Sequence, residues 1–116
     1  MSRAPSHVGK ARFEVEWTSE AWAEVQSLPV FERRPIMRAV DDLRHEAEVE
    51  TQNRKPLRKP LEELPEATWE IRIRGKYRLL YCVTDPIPEN NKRCVQILRA
   101  IIKEREPTSE ALRRQS

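Results

Sequence analysis

Apolar and polar positions change period along the chain, and each period predicts an element. Residues 12–17 read R-F-E-V-E-W. Phe13, Val15 and Trp17 alternate with charged residues, the pattern of a half-buried strand. Thr18 or Ser19 then offers a helix cap, and Glu20 suits the positive end of the helix dipole. Ala21, Trp22, Val25 and Leu28 share one face of that helix, which Pro29 ends. A second helix is predicted over residues 31–47, because Ile36, Val40, Leu43 and Ala47 recur at spacings of 4, 3 and 4. Pro35 fits this helix in one of two ways: at its first position, if it starts near Arg34, or at a kink.

Residues 48–67 carry Pro56, Pro60 and Pro65 and no period. They are predicted as a long connection, pinned by Leu57, Leu61 and Leu64, and long connections are often functional. Three strands follow, over 68–74, 77–84 and 93–103. The last two are apolar on both faces, which predicts central, covered strands. Gly75 supplies a tight turn, and 85–92 a looser one. Thr108 caps a last short helix over 109–114. The order β-α-α-β-β-β-α predicts an α+β fold, two helices packed on a small twisted, mostly antiparallel sheet. Residues 1–11 read as a flexible tail, and 12–116 as a single domain.

A length of 116 residues with 38% hydrophobic and 35% charged residues suits one domain with a modest core. Two Gly exclude a Gly-rich phosphate cradle. Two His and two Cys, at no ligand spacing, argue against a zinc finger or His-rich metal centre, so no metal and no cofactor are expected. No apolar run reaches the ~20 residues of a membrane span, and the N-terminus lacks the apolar segment of a secretory signal. Cys82 and Cys94 lie in apolar strings and read as reduced thiols of a cytoplasmic protein; a disulfide between them is the lesser alternative.

The net charge is +3, but residues 54–78 hold eight cations against four anions, so all the excess lies there. Such focusing suits a polyanion, nucleic acid above all, or equally a solvated basic loop beside a strand. Alternation puts Arg72 and Arg74 opposite Trp69 and Ile71, and gives Arg99 and Lys103 a common parity. Arg78 joins the face of Arg72 only if the hairpin loop has three residues; a two-residue turn sends it to the other side. With the three-residue loop, Arg72, Arg78 and Lys103 are expected to converge on one pocket. Such a pocket holds a phosphodiester and stabilises charge developing on phosphorus, and RNA brings its own 2′-hydroxyl nucleophile. Lys103, Glu70 or a tyrosine remains as acid or base. Tyr77 and Tyr81 share the face of Leu79, which favours core packing over catalysis. Glu70 reads equally as a cross-strand ion-pair partner.

Three runs in order, Lys55-Pro56-Leu57-Arg58, Trp69-Glu70-Ile71-Arg72 and Tyr77-Arg78-Leu79-Leu80-Tyr81, resemble the RelE/HigB (RelE/ParE) toxin superfamily. Its HigB-like branch reads K-P-L-R, W-E-L-R and Y-R-x-L-Y, and the likeness runs from about Arg12 to Leu112. The resemblance implies a RelE-like fold and the toxin of a type II toxin–antitoxin module, neutralised by a cognate antitoxin. Nuclease members cut mRNA on the ribosome without a metal, leaving a 2′,3′-cyclic phosphate. ParE members keep the fold and inhibit DNA gyrase instead.

Carried onto this chain, the resemblance makes Arg78 the phosphate-stabilising residue. Arg72 lies on the active-site strand, and Lys103 is the basic residue near the end of the last strand. Glu70 stands where other nuclease members carry lysine, and Thr108 where some carry tyrosine or histidine. Arg54, Lys55, Arg58 and Lys59, with Arg74, Lys76 and Arg99, form the expected RNA- and ribosome-docking set. The first expectation is thus an mRNA endoribonuclease acting with mRNA and ribosome. The alternatives are a gyrase-binding inhibitor and an inactive binding module.

Overall fold

The computed structural model describes residues 11–86 and 88–102. The tail over 1–10, Lys103, Thr108 and the predicted helix over 109–114 lie outside the described residues. Seven elements follow in order: β1 (Phe13–Trp17), α1 (Ser19–Gln26), α2 (Val30–Glu46), β2 (Arg54–Pro56), β3 (Trp69–Ile73), β4 (Tyr77–Val83) and β5 (Arg93–Ile102). The strands form one sheet in the order β1-β5-β4-β3-β2. β1 runs parallel to β5, and every other pair is antiparallel. The α+β expectation stands, with one strand more than the sequence pattern suggested. β2 lies inside the connection read as irregular, and Arg54, Lys55 and Pro56 pair with Ile71, Glu70 and Trp69. Three residues ending in proline carry too little pattern to announce a strand. Proline is tolerated there because β2 is an edge.

Both helices cover one face of the sheet. Thr18 caps α1, its Oγ1 accepting from the Ala21 N–H at 3.1 Å and donating to the Leu98 carbonyl at 2.9 Å. One hydroxyl thus starts the helix and ties it to β5. α2 runs through Pro35 from Val30, so the start near Arg34 does not occur and the proline lies inside the helix. The missing N–H leaves the Phe31 carbonyl without its helical donor, at a turn where Phe31 is exposed and water can serve. The C-terminal ends of both helices are held by arginines from later in the chain. Arg33 donates to the Leu28 and Gln26 carbonyls at 2.8 and 2.9 Å. Arg54 donates to the Glu46 and Val49 carbonyls at 3.0 and 3.1 Å, and the buried Tyr81 hydroxyl donates to Ala47 at 2.7 Å. A cation at this end also faces the negative pole of the helix.

The main core lies between helices and sheet: Val25, Ile36, Val40 and Leu43 against Leu79, Tyr81, Val95 and Ile97. Trp69 stacks on Tyr81 at 6.1 Å between ring centroids. Trp22, expected in the core, is 44% exposed and meets Trp17 edge-on. The other face of the sheet is half covered. There Leu57, Leu61 and Leu64 of the connection pack on Leu80, Leu98, Ala67 and Ile101, as a loop pinned by its leucines should. Leu98 reaches that face through a bulge. Leu80 pairs with Arg99, but Tyr81 pairs with Ile97, so Leu98 is the extra residue and strict alternation fails at this point. Among the described residues no helix is long and apolar enough to cross a membrane.

Candidate functional site

The hairpin between β3 and β4 decides which arginines meet. Its loop is Arg74-Gly75-Lys76, with Arg74 at φ 57° and Gly75 at φ 65°, and the Lys76 N–H closes it onto the Ile73 carbonyl at 3.0 Å. Ile73 therefore pairs with Tyr77, and Arg72 pairs directly with Arg78. Both arginines stand on the sheet face away from the helices, as the three-residue loop requires. Like charges directly opposite repel, and Glu70, one pleat along, offsets this. Its Oε1 accepts from Arg78 Nε at 2.5 Å, with the two side chains 14% and 30% exposed. Arg72 is exposed and has no side-chain partner among the described residues.

Two adjoining cavities lie on this face. One, about 340 Å³, is lined by Gln52, Asn53, Lys55, Glu70 and Arg72. The other, about 240 Å³, is lined by Leu61, Glu63, Leu64, Arg78, Leu80, Arg99 and Ile101. The single pocket expected for Arg72 and Arg78 is thus two, side by side, with the Glu70–Arg78 pair between them. Lys103 lies outside the described residues. Arg99 is held by Glu24 of α1, whose carboxylate also accepts the Ala100 N–H at 2.7 Å, beyond the stretch of β5 that pairs with β1. That pairing holds the Arg99 guanidinium fully charged, raising its pKa further.

The expected docking set divides by position. Lys55 lines the Arg72 cavity, and Arg58 and Lys59 are exposed on the covering loop. Arg54 is a correction. It is 4% exposed, committed to the end of α2 and ion-paired to Glu46 at 3.7 Å, so it cannot reach an RNA surface. Arg74 and Lys76 are exposed but stand apart from the Arg72–Arg78 face. They line a cavity with Phe31, Glu32, Pro35 and Tyr77 on the helix side, where Lys76 pairs with Glu32 at 3.0 Å. The strand ends at Ile73, so alternation no longer governs them. Sequence reading passed over Gln52, Asn53 and Glu63; nothing but their place in a long connection marked them. Of the candidate acid–base groups, the tyrosines are excluded. Tyr77 and Tyr81 are buried on the helix side, and burial pushes the Tyr81 hydroxyl far above its ordinary range. Cys82 and Cys94 are free thiols, both raised mainly by burial, Cys94 to about 11.

No protein-family model and no curated protein matches the chain. Solved structures do. A toxin of Agrobacterium tumefaciens described as YoeB/ParE superposes with a TM-score of 0.58 at 14% identity, over 78% of this chain and 98% of that one. A chain of the RelE–RelB complex of Pyrococcus horikoshii gives 0.58 at 21%, over 81% and 98%. These two share the fold. A chain of the toxin–antitoxin complex RelBE2 of Mycobacterium tuberculosis is 30% identical over 78% of this chain and 98% of its own, with a TM-score of 0.54. With that identity over 98% of the relative, the chain belongs to the RelE/ParE toxin superfamily.

Proposed function

We propose that this toxin is an endoribonuclease that cuts ribosome-bound mRNA and is neutralised by a cognate antitoxin. The observation that carries the reading is the direct cross-strand pair of Arg72 and Arg78 on the open face, with Arg78 clamped through Nε by Glu70. A guanidinium fixed in advance stabilises charge on phosphorus without reorganising during the reaction. The phosphodiester sits in the polar cavity against Arg72 and Lys55, beside Arg78. The substrate 2′-oxygen bonds to phosphorus, the bond from phosphorus to the 5′-oxygen breaks, and the products are a 2′,3′-cyclic phosphate and a 5′-hydroxyl. Glu70 Oε2, the one oxygen of that carboxylate not given to Arg78, takes the 2′-hydroxyl proton. Lys103, a basic residue near the end of the last strand, returns a proton to the leaving 5′-oxygen. Arg58 and Lys59 contact ribosomal RNA.

The test is induced expression with mapping of mRNA 5′ ends. The parent gives new ends within codons and arrests growth. Arg78→Ala abolishes both while its circular dichroism spectrum stays that of the parent; losing one such donor costs about 3 kcal/mol, or more than a hundredfold in rate. A folded Arg78→Ala that still cuts mRNA refutes the mechanism. Intact mRNA with a DNA-damage response in the parent points to gyrase instead.

A further inference from the structure

The geometry points to a stacking platform for the mRNA strand beyond the tip of the β3–β4 hairpin: one base of the strand leaving the cut lies on the Phe31 ring, and the adjoining phosphates meet Arg74 and Lys76. The inference rests on the nuclease reading and adds the path that the strand takes on to the helix side of the sheet.

Phe31 is the anchor. It is 71% exposed, more than any other large apolar side chain among the described residues, and it belongs to neither core cluster. Its ring forms one wall of a cavity of about 300 Å³, closed by Pro35, Tyr77 and the hairpin tip with Arg74 and Lys76. That is the lower end of ligand-cleft volumes and enough for one base.

Charge selects the occupant. Lys76 holds Glu32 at 3.0 Å, which neutralises the carboxylate of the cavity, while Arg74 is exposed with no side-chain partner among the described residues. One turn along α2, beside a shallower cavity, Arg34 and Arg38 are exposed and equally unpaired, and Asp41 there is held by Arg44 at 3.4 Å. The charges left over around Phe31 are therefore guanidinium. An exposed ring between free cations has both parts of a single-strand site, a face for a base and positive charge for the backbone on either side.

An acidic protein segment would answer the same charge, but continuity decides for the mRNA. Arg72 and Arg78 face each other on the open side, and the loop Arg74-Gly75-Lys76 closes the hairpin immediately beyond them. Two residues of chain, about 7 Å, separate Arg72 from Arg74. A strand gripped at Arg72 and Arg78 meets this tip next. Bent over it, the strand keeps cations against its phosphates on both sides of the sheet.

The experiment is fluorescence anisotropy with a labelled 2′-O-methyl oligoribonucleotide of about ten nucleotides, which lacks the attacking hydroxyl and stays whole. The full chain is compared with Phe31→Ala, Phe31→Tyr, Arg74→Asn and the control Val49→Ala, an exposed apolar residue beyond the other end of α2. Asparagine tolerates the positive φ at position 74, and melting curves check each fold. Phe31→Ala weakens binding about tenfold, Phe31→Tyr restores it, and Val49→Ala matches the parent. Arg74→Asn lowers the slope of log affinity against log salt by about 0.7, the share of one phosphate. Unchanged binding in Phe31→Ala, an unchanged slope in Arg74→Asn, or a parent that does not bind the oligonucleotide overturns the platform, while the nuclease reading is judged separately by the mapped mRNA ends. A Phe31→Ala variant that binds RNA like the parent but escapes its co-expressed antitoxin assigns the ring to a protein partner and overturns the platform as well.

Discussion

Arg54→Ala separates a cation that builds the fold from cations that meet a ligand. The side chain is 5% exposed. Its Nη1 donates to two carbonyls at the end of α2 and lies 3.7 Å from the Glu46 carboxylate. Hydrogen bonds from a charged donor are worth about 1.5–3 kcal/mol each. Against them stands the desolvation of the guanidinium, whose Nε is buried without a partner among the described residues. Truncation removes the charge with its desolvation cost, but it leaves both carbonyls and a cavity behind. Breaking a buried pair in this way costs about 3–5 kcal/mol, and the partly exposed Glu46 argues for the lower end, about 3 kcal/mol. At about 4 °C per kcal/mol for a domain of this size, the melting temperature falls by about 12 °C. Thermal unfolding followed by far-ultraviolet circular dichroism reads this directly. Arg58→Ala and Lys59→Ala, which remove exposed cations, stay within about 0.5 kcal/mol of the parent. If Arg54→Ala melts within about 2 °C of the parent, the residue does not hold the end of α2 and the reasoning fails.

Two further outcomes concern stability. The Cys94 thiol is raised from 9.0 to about 11, by burial first and by Glu16 next. Its contribution is therefore complete below pH 9 and is lost as pH rises from 9 to 11, because the unfolded thiol ionises first. Urea midpoints measured across that window fall for the parent and fall less for Cys94→Ala; equal slopes would show that Cys94 is not the group responsible. Gly75→Ala places a Cβ in open space but at φ 65°, so only backbone strain acts, about 1 kcal/mol. An unchanged urea midpoint would mean that the loop relaxes to another turn.

Much of the architecture follows from periodicity. Alternation in 12–17, 68–74 and 77–84 and the 4-3-4 stripe from Ile36 to Ala47 each report a surface half in water and half out of it. Those are local properties, so local residues carry them. The leucines of the connection were legible for the same reason, since an apolar residue in a polar loop needs somewhere to pack. Arg72 and Arg78 were legible as candidates, but their meeting was not. It depends on whether the loop spends two residues or three, and Arg74 and Gly75 at positive φ decide it by closing a turn that no alternation pattern encodes.

Tertiary structure alone decided what each cation does. Arg54, Arg74, Lys76 and Arg99 look alike in the sequence. One caps a helix, one bends into a turn, and two are paired with glutamates from helices, Glu32 and Glu24. The bulge at Leu98 and the edge strand Arg54–Pro56 were equally silent. A side chain's type fixes what it can bind, but burial and partners set what remains free, and both come from residues distant in the chain. Sequence by itself determined the two helices, four of the five strands and the supply of charge. The fold determined that Arg72 and Arg78 stand together on the uncovered side, because only the pairing of strands brings their backbones side by side.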